Sequence, residues 1–273
     1  MNPFKGLKNL WHKIIGSGSL NLPLEYRKYP EYFDAFNINE GTRKKNAVIA
    51  DVLKTHNVKT VLDLTCGTGS QVFFLSKRGY TCTGADFSPA LLKMARGKSL
   101  REGLPIQWID GDMRTLKVGT FDAVITIFNA VGHLTPKDFE VALKNIHANL
   151  TKGGLYVFDI FNLAAMTNDK VKNLSMHVQK QVHDTVIHHM QCSTLNKKKG
   201  LLTSYDYYAL QKNADKPNFM KHSFSLQLYT PQQLRDMLHR QGFEIINQCN
   251  LDGSDFLQET TLSMLTVARK ISI

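Results

Sequence analysis

The chain has 273 residues, 42% hydrophobic and 21% charged, with a net charge of +11. Such a composition is globular and excludes a disordered chain. No apolar run reaches the ~18 residues of a membrane span.

The first residues carry no long apolar stretch followed by a small-residue cleavage site, so no signal peptide is expected. Cys66, Cys82, Cys192 and Cys249 form no C-x-x-C pair. That argues against a disulfide framework or a cysteine zinc site, and leads to the expectation of a cytoplasmic protein. The positive charge is uneven, with a net +5 in residues 1–60 and again in residues 161–230. Two readings stay open: a solvated surface, or a positive rim for an acidic small molecule or nucleic acid.

In chain order, Phe4, Leu7, Leu10, Trp11, Ile14 and Ile15 share helical spacing, with Lys5, Lys8 and Lys13 off that stripe. This predicts a basic amphipathic helix over 4–15, packed on its own protein or on a membrane surface or partner. A helix follows over 41–57, with Val48, Ile49, Val52 and Leu53 on one face. Strands are predicted at 60–64, 80–85, 106–109, 121–126 and 154–159. Helices are predicted over 70–78, after Ser88-Pro89 and after Thr135-Pro136, where a capping hydroxyl precedes a proline at the first helical position. Strand–helix alternation predicts a doubly wound parallel α/β sheet, which binds ligands at the carboxyl ends of its strands.

From residue 175 the pattern turns to period 2. Strands at 179–194, 201–211 and 219–229, with a turn at Asn196–Gly200, predict an antiparallel insertion. A helix over 230–241, ended by Gly242, leads to a last strand pair at 243–247 and 262–268. The expected organisation is an arm over 1–40, a core over 41–164, a β insertion over 165–230 and completion of the core sheet over 231–273.

The chemistry is concentrated in Val61-Leu62-Asp63-Leu64-Thr65-Cys66-Gly67-Thr68-Gly69-Ser70. A strand entering a glycine-rich turn and then a helix lets backbone approach a ligand closely. Asp86 ends the next strand, where an acid grips ribose hydroxyls of an adenosine cofactor. The third glycine of a dinucleotide fingerprint is absent, Val72 standing there, which disfavours NAD. The third strand ends in Asp110-Gly111-Asp112-Met113, with a carboxylate and a free amide where an adenine edge would lie.

Asp63–Gly69, Asp86, Gly111-Asp112-Met113-Arg114 and Phe121–Val124 together resemble the successive motifs of class I S-adenosylmethionine-dependent methyltransferases, over about residues 41–162. The resemblance implies a Rossmann-like sheet with an antiparallel strand pair at its end, and S-adenosylmethionine as cofactor. It implies that Asp63, Thr65, Gly67 and Gly69 hold the methionine part and that Asp86 binds ribose. Phe87, Asp112 and Met113 would contact adenine, and Phe128 is expected among the cofactor-binding residues. Thr65 stands where many members have glycine.

The segment Ile127–Leu134 further resembles the small-molecule group that includes sugar-amine N-methyltransferases. That likeness implies an aromatic N-terminal arm (Tyr26, Tyr29, Tyr32, Phe33) and an antiparallel insertion over the substrate. His133 follows the fourth strand near the expected methyl position, and is a candidate base or substrate orienter or else a structural histidine. The Tyr26, Tyr29 and Tyr32 rings are candidates to close over the sulfonium, where an aromatic face stabilises a cation, or to pack the arm; Tyr32 is placed with His133 as the catalytic pair. His183, His188 and His189 do not converge on a metal, and none is expected. The sequence lacks the Asn-Pro-Pro-aromatic stretch of base and amide methylases. The expected reaction is methyl transfer to a small molecule, at nitrogen first and oxygen next. An RNA such as tRNA remains an alternative acceptor, as does a non-catalytic cofactor-binding or membrane-recruited partner role.

Overall fold

The computed structural model describes residues 22–26 and 29–271. The amphipathic stretch 4–15 lies outside the described residues. The chain divides into two compact units: one holds Leu24–Met166 and Gln227–Ile273, the other Thr167–Leu226 together with Leu22 and Pro23.

The larger unit opens with a 3-10 turn, Leu24–Tyr26, and helix α1, Pro30–Asn37. Helix α2 spans Glu40–Thr55 and starts on a reciprocal cap between Asn39 and Thr42. Then follow β1 (Thr60–Asp63), α3 (Ser70–Ser76), β2 (Thr81–Asp86), α4 (Pro89–Glu102), β3 (Gln107–Asp110), β4 (Phe121–Thr126), α5 (Pro136–Ala148) and β5 (Leu150–Phe161). After the insertion come α7 (Pro231–Arg240), β10 (Phe243–Cys249) and β11 (Ser263–Lys270). The expected caps form: Ser88, Thr135 and Thr230 each accept a backbone N–H of the first turn, with proline next in line.

The seven strands lie in the order β10-β11-β5-β4-β1-β2-β3. β1, β2, β3, β4 and β5 run parallel, and β11 pairs antiparallel with both β5 and β10. A parallel sheet is buried on both faces, so neighbouring residues along a strand feed opposite cores. Leu62, Val124, Tyr156 and Phe158 pack with Phe139, Leu143, Leu234 and Phe243 on one side. Val61, Ala123, Ile125 and Val157 pack with Ile49, Leu53, Leu75 and Leu92 on the other. The buried Tyr156 hydroxyl is satisfied by Thr126 Oγ1 at 2.7 Å.

This order places the carboxyl ends of β1 and β2 side by side, with β4 on the other flank of β1. The turns carrying Asp63–Gly69, Asp86–Ser88 and Phe128–His133 therefore emerge at one edge. β5 starts at Leu150, four residues before the expected start, and continues through Gly153 at φ 73° and Gly154. That glycine pair reads as a turn in sequence.

The smaller unit holds α6 (Asn168–Asn173) and a four-stranded sheet, β6 (Met176–Val182), β7 (Thr185–Asn196), β8 (Leu201–Lys212) and β9 (Asn218–Gln227), in sequential order. The single strand expected over 179–194 is two strands. They reverse at His183, which takes φ 53° without a glycine to mark the bend. The β7–β8 ladder buries a polar pair: His189 Nε2 lies 2.9 Å from Asp206 Oδ1, which also accepts from Gln191.

Candidate active site

The turn after β1 wraps around two carboxylates. Asp86 Oδ2 accepts from the Gly67 N–H and its Oδ1 from the Ser88 N–H, each at 2.8 Å. Asp63 Oδ1 accepts from the Thr65 N–H at 3.0 Å. Gly67 and Gly69 take φ of 54° and 91°. The space a side chain would need at Gly69 is filled by Trp108 and Phe73, so only glycine lets this backbone follow its path.

Burial dominates the electrostatics. It pushes the Asp63 carboxyl up to about 8, against the pull of the Thr65 N–H. It pushes Asp86 up to about 6, against the Ser88 and Gly67 amides and with the Asp110 charge adding to the rise. Asp63 Oδ2 has no hydrogen-bond donor among the described residues. A buried carboxylate oxygen without a donor is costly. The missing complement is a cation carrying N–H donors, and an anionic pyrophosphate would make the cost worse.

On the far side of the turn, Asp159 near the end of β5 pairs with Lys45 of α2 at 3.1 Å, both buried. The Lys45 ammonium sits 4.2 Å from the centre of the Phe128 ring. Asp159 Oδ1 also accepts from the Asn129 N–H, and Asn129 Oδ1 accepts from the Phe161 N–H. Phe128 and Asn129 adopt φ of 64° and 55° in succession. Two adjacent left-handed non-glycine residues store strain that the Lys45–Asp159–Asn129 network holds in place. The 3-10 turn Ala130–His133 follows at once. Burial lowers the His133 imidazole to about 4, so it is neutral at pH 7.

The arm reaches this cluster. Tyr26 lies half-buried beside His133 (ring centres 5.7 Å) and Phe33 (5.6 Å). Burial, then the charges of Glu25, Asp86 and Asp159, hold its hydroxyl firmly protonated. Phe33 lies over Gly67. Asp34 takes a hydrogen bond from Thr68 and an ion pair from Lys98, and Ser88 donates to the Tyr26 carbonyl. Tyr32, the other expected residue of the arm, stacks flat on Tyr29 at 5.5 Å.

Of the other expected residues, Thr65 sits in the turn and Phe87 lies half-buried between Asp86 and Ser88. The Asp112 carboxylate is half-exposed and clasped by Arg114, which holds it below the usual carboxylate range. Met113 packs against the core and its carbonyl accepts from Asn145. Lys45, Asp159, Asn129 and Trp108 were not anticipated, and Tyr26 was not distinguished from its neighbours. Lys45 and Asp159 lie 114 residues apart, and only the α2–β5 proximity joins them.

A seven-stranded sheet of this order, with a glycine turn after β1 and an acid closing β2, defines a class I, S-adenosylmethionine-dependent methyltransferase fold. Residues 61–154 match the family model described as a methyltransferase domain. Human glycine N-methyltransferase is 32% identical over 135 residues, covering 43% of this chain and 46% of the relative. The Streptomyces venezuelae dTDP-3-amino-3,4,6-trideoxy-alpha-D-glucopyranose N,N-dimethyltransferase is 29% identical over 137 residues, covering 48% and 56%. The chain thus spans about half the length of these curated relatives. Among solved structures, the sugar N-methyltransferase KedS8 from Streptoalloteichus superposes with a TM-score of 0.74 at 16% identity, covering 96% of this chain and all of that one. At that identity the likeness is one of fold.

Proposed function

We propose that this protein transfers a methyl group from S-adenosylmethionine to a small-molecule acceptor, at an amine nitrogen. The observation that carries the reading is the pair of buried carboxylates, Asp63 and Asp86, around the Gly67–Gly69 turn, one of them with an oxygen that lacks a donor. In this reading Asp63, Thr65, Gly67 and Gly69 hold the cofactor's amino-acid end and Asp86 its ribose. Phe87, Met113 and the already shared Asp112 carboxylate border the adenine. Phe128 faces the methyl side. Bound there, S-adenosylmethionine supplies an electrophilic methyl carbon on a sulfonium.

The chain's own groups then orient and desolvate. Phe33 and Tyr26 cover the turn and exclude water, which strengthens every electrostatic contact beneath them. His133, neutral at pH 7, accepts a hydrogen bond from the acceptor's N–H and aims the nitrogen lone pair. The protonated Tyr26 hydroxyl, rather than Tyr32, shares that task. The Phe128–Asn129 backbone, fixed through Lys45 and Asp159, sets the distance. The choice of an amine nitrogen is supported by two relatives named for N-methyl transfer, the glycine N-methyltransferase and the dTDP-amino-sugar N,N-dimethyltransferase.

The test is to incubate the protein with methyl-labelled S-adenosylmethionine and a panel of glycine, free amino sugars, nucleotide-linked amino sugars and bulk tRNA. Label is expected in the low-mass amine fraction. Label in the tRNA, or none above heat-denatured protein, would refute the reading.

A further inference from the structure

Four buried oxygens around the carboxyl end of β1 have no hydrogen-bond partner among the described residues: Asp63 Oδ2, Thr65 Oγ1, Asn46 Oδ1 and Gln71 Oε1. Asp63, Asn46 and Gln71 are 1%, 2% and 1% exposed. They belong to one neighbourhood. Asp63 and Thr65 open the turn that Ser70 and Gln71 close on α3. Asn46 reaches across from α2, its Nδ2 donating to Ser70 Oγ at 3.1 Å, while Gln71 Nε2 donates to the Asn46 carbonyl at 3.4 Å. Each side-chain amide thus gives an N–H to the protein, while its oxygen is left without a donor. Native proteins satisfy such groups almost without exception, so a concentration of orphaned acceptors implies a donor that arrives with a ligand. One carboxylate and two amide oxygens match a primary ammonium, which brings three N–H groups and a positive charge.

We infer that Asn46 and Gln71, together with Asp63, bind the amino group of the methyl donor's amino-acid tail. The inference rests on the methyl-donor reading above and adds two residues that lie on helices rather than at strand ends. Asn46 falls outside the segment matched by the family model.

The experiment is calorimetry on the full chain with three ligands. S-adenosylhomocysteine has amine and carboxylate, its decarboxylated analogue keeps only the amine, and 5′-deoxy-5′-methylthioadenosine has neither. Asn46→Ala and Gln71→Met should each weaken S-adenosylhomocysteine about tenfold, as expected for loss of a charge-assisted hydrogen bond. The decarboxylated analogue should weaken by the same factor. Methylthioadenosine should bind within about twofold of wild type, which also shows that the variants fold. Variants that weaken all three ligands alike, that leave S-adenosylhomocysteine unchanged, or that spare the decarboxylated analogue would overturn the assignment. A wild-type protein that binds none of the three overturns the methyl-donor reading itself, and the assignment with it.

Discussion

Ligand binding should release a proton, and Asp63 is its source. Without a neighbouring cation this carboxyl titrates at about 8 because it is buried. At pH 7 it is therefore ~90% protonated, whereas Asp86, at about 6, is ~10% protonated. An ammonium ~4 Å away in an effective dielectric of ~20 favours the ionised form by ~4 kcal/mol. That lowers the carboxyl's pKa by ~3, to ~5. Binding at pH 7 should then expel about 0.9 of a proton. The free site holds the extra proton, so affinity must rise with pH below 8, by ~eightfold between pH 6 and pH 7. The assay is calorimetric titration of S-adenosylhomocysteine in phosphate and in Tris, whose ionisation heats differ widely; the difference in observed heat gives the proton count. Asp63→Asn keeps an acceptor for the Thr65 N–H but cannot titrate, and its heats should be buffer-independent. Equal heats in both buffers for the wild type, or a buffer dependence that survives in Asp63→Asn, would refute the reasoning.

Three further outcomes are expected. Lys45→Met strands the buried Asp159 carboxylate and should cost about 3–5 kcal/mol in urea denaturation, while Lys45→Met combined with Asp159→Leu should recover most of it; a Lys45→Met loss below 1 kcal/mol would show the pair to be solvated. At Gly84, an added methyl would lie 2.4 Å from the Trp108 ring, so Gly84→Ala should destabilise by about 1–3 kcal/mol through overpacking and lower the melting temperature. His133→Ala should reduce kcat with cofactor affinity intact. Because burial holds His133 near 4, the wild-type rate should show no inflection between pH 5 and 8 that disappears in His133→Gln; such an inflection would mean that the histidine ionises as a base during turnover.

The parts of this architecture that sequence reveals are the local ones. Asp63, Gly67, Gly69 and Asp86 stand at strand ends and in the turn between, so their spacing alone announces a site. The Ser88-Pro89, Thr135-Pro136 and Thr230-Pro231 pairs announce helix starts for the same reason. The β6–β7 reversal escapes because His183 bends the chain in the left-handed region without glycine, proline or asparagine. Helix α1 escapes because five aromatic residues between Tyr26 and Phe36 obscure its period, although Pro30 at the first position and Glu31 beside it are valid start signals. The Lys45–Asp159 pair, the Tyr26–His133 contact, and the Asn46–Ser70 contact depend on which helix or arm crosses which strand end. No periodicity encodes that; each is a consequence of tertiary packing.

Equilibrium dialysis of the purified chain against radiolabelled S-adenosylmethionine tests the central claim most directly. Retention of one molecule per chain, displaced by S-adenosylhomocysteine and untouched by excess NAD, is the result expected of two buried carboxylates around a glycine turn. No retention, or displacement by NAD, would contradict it.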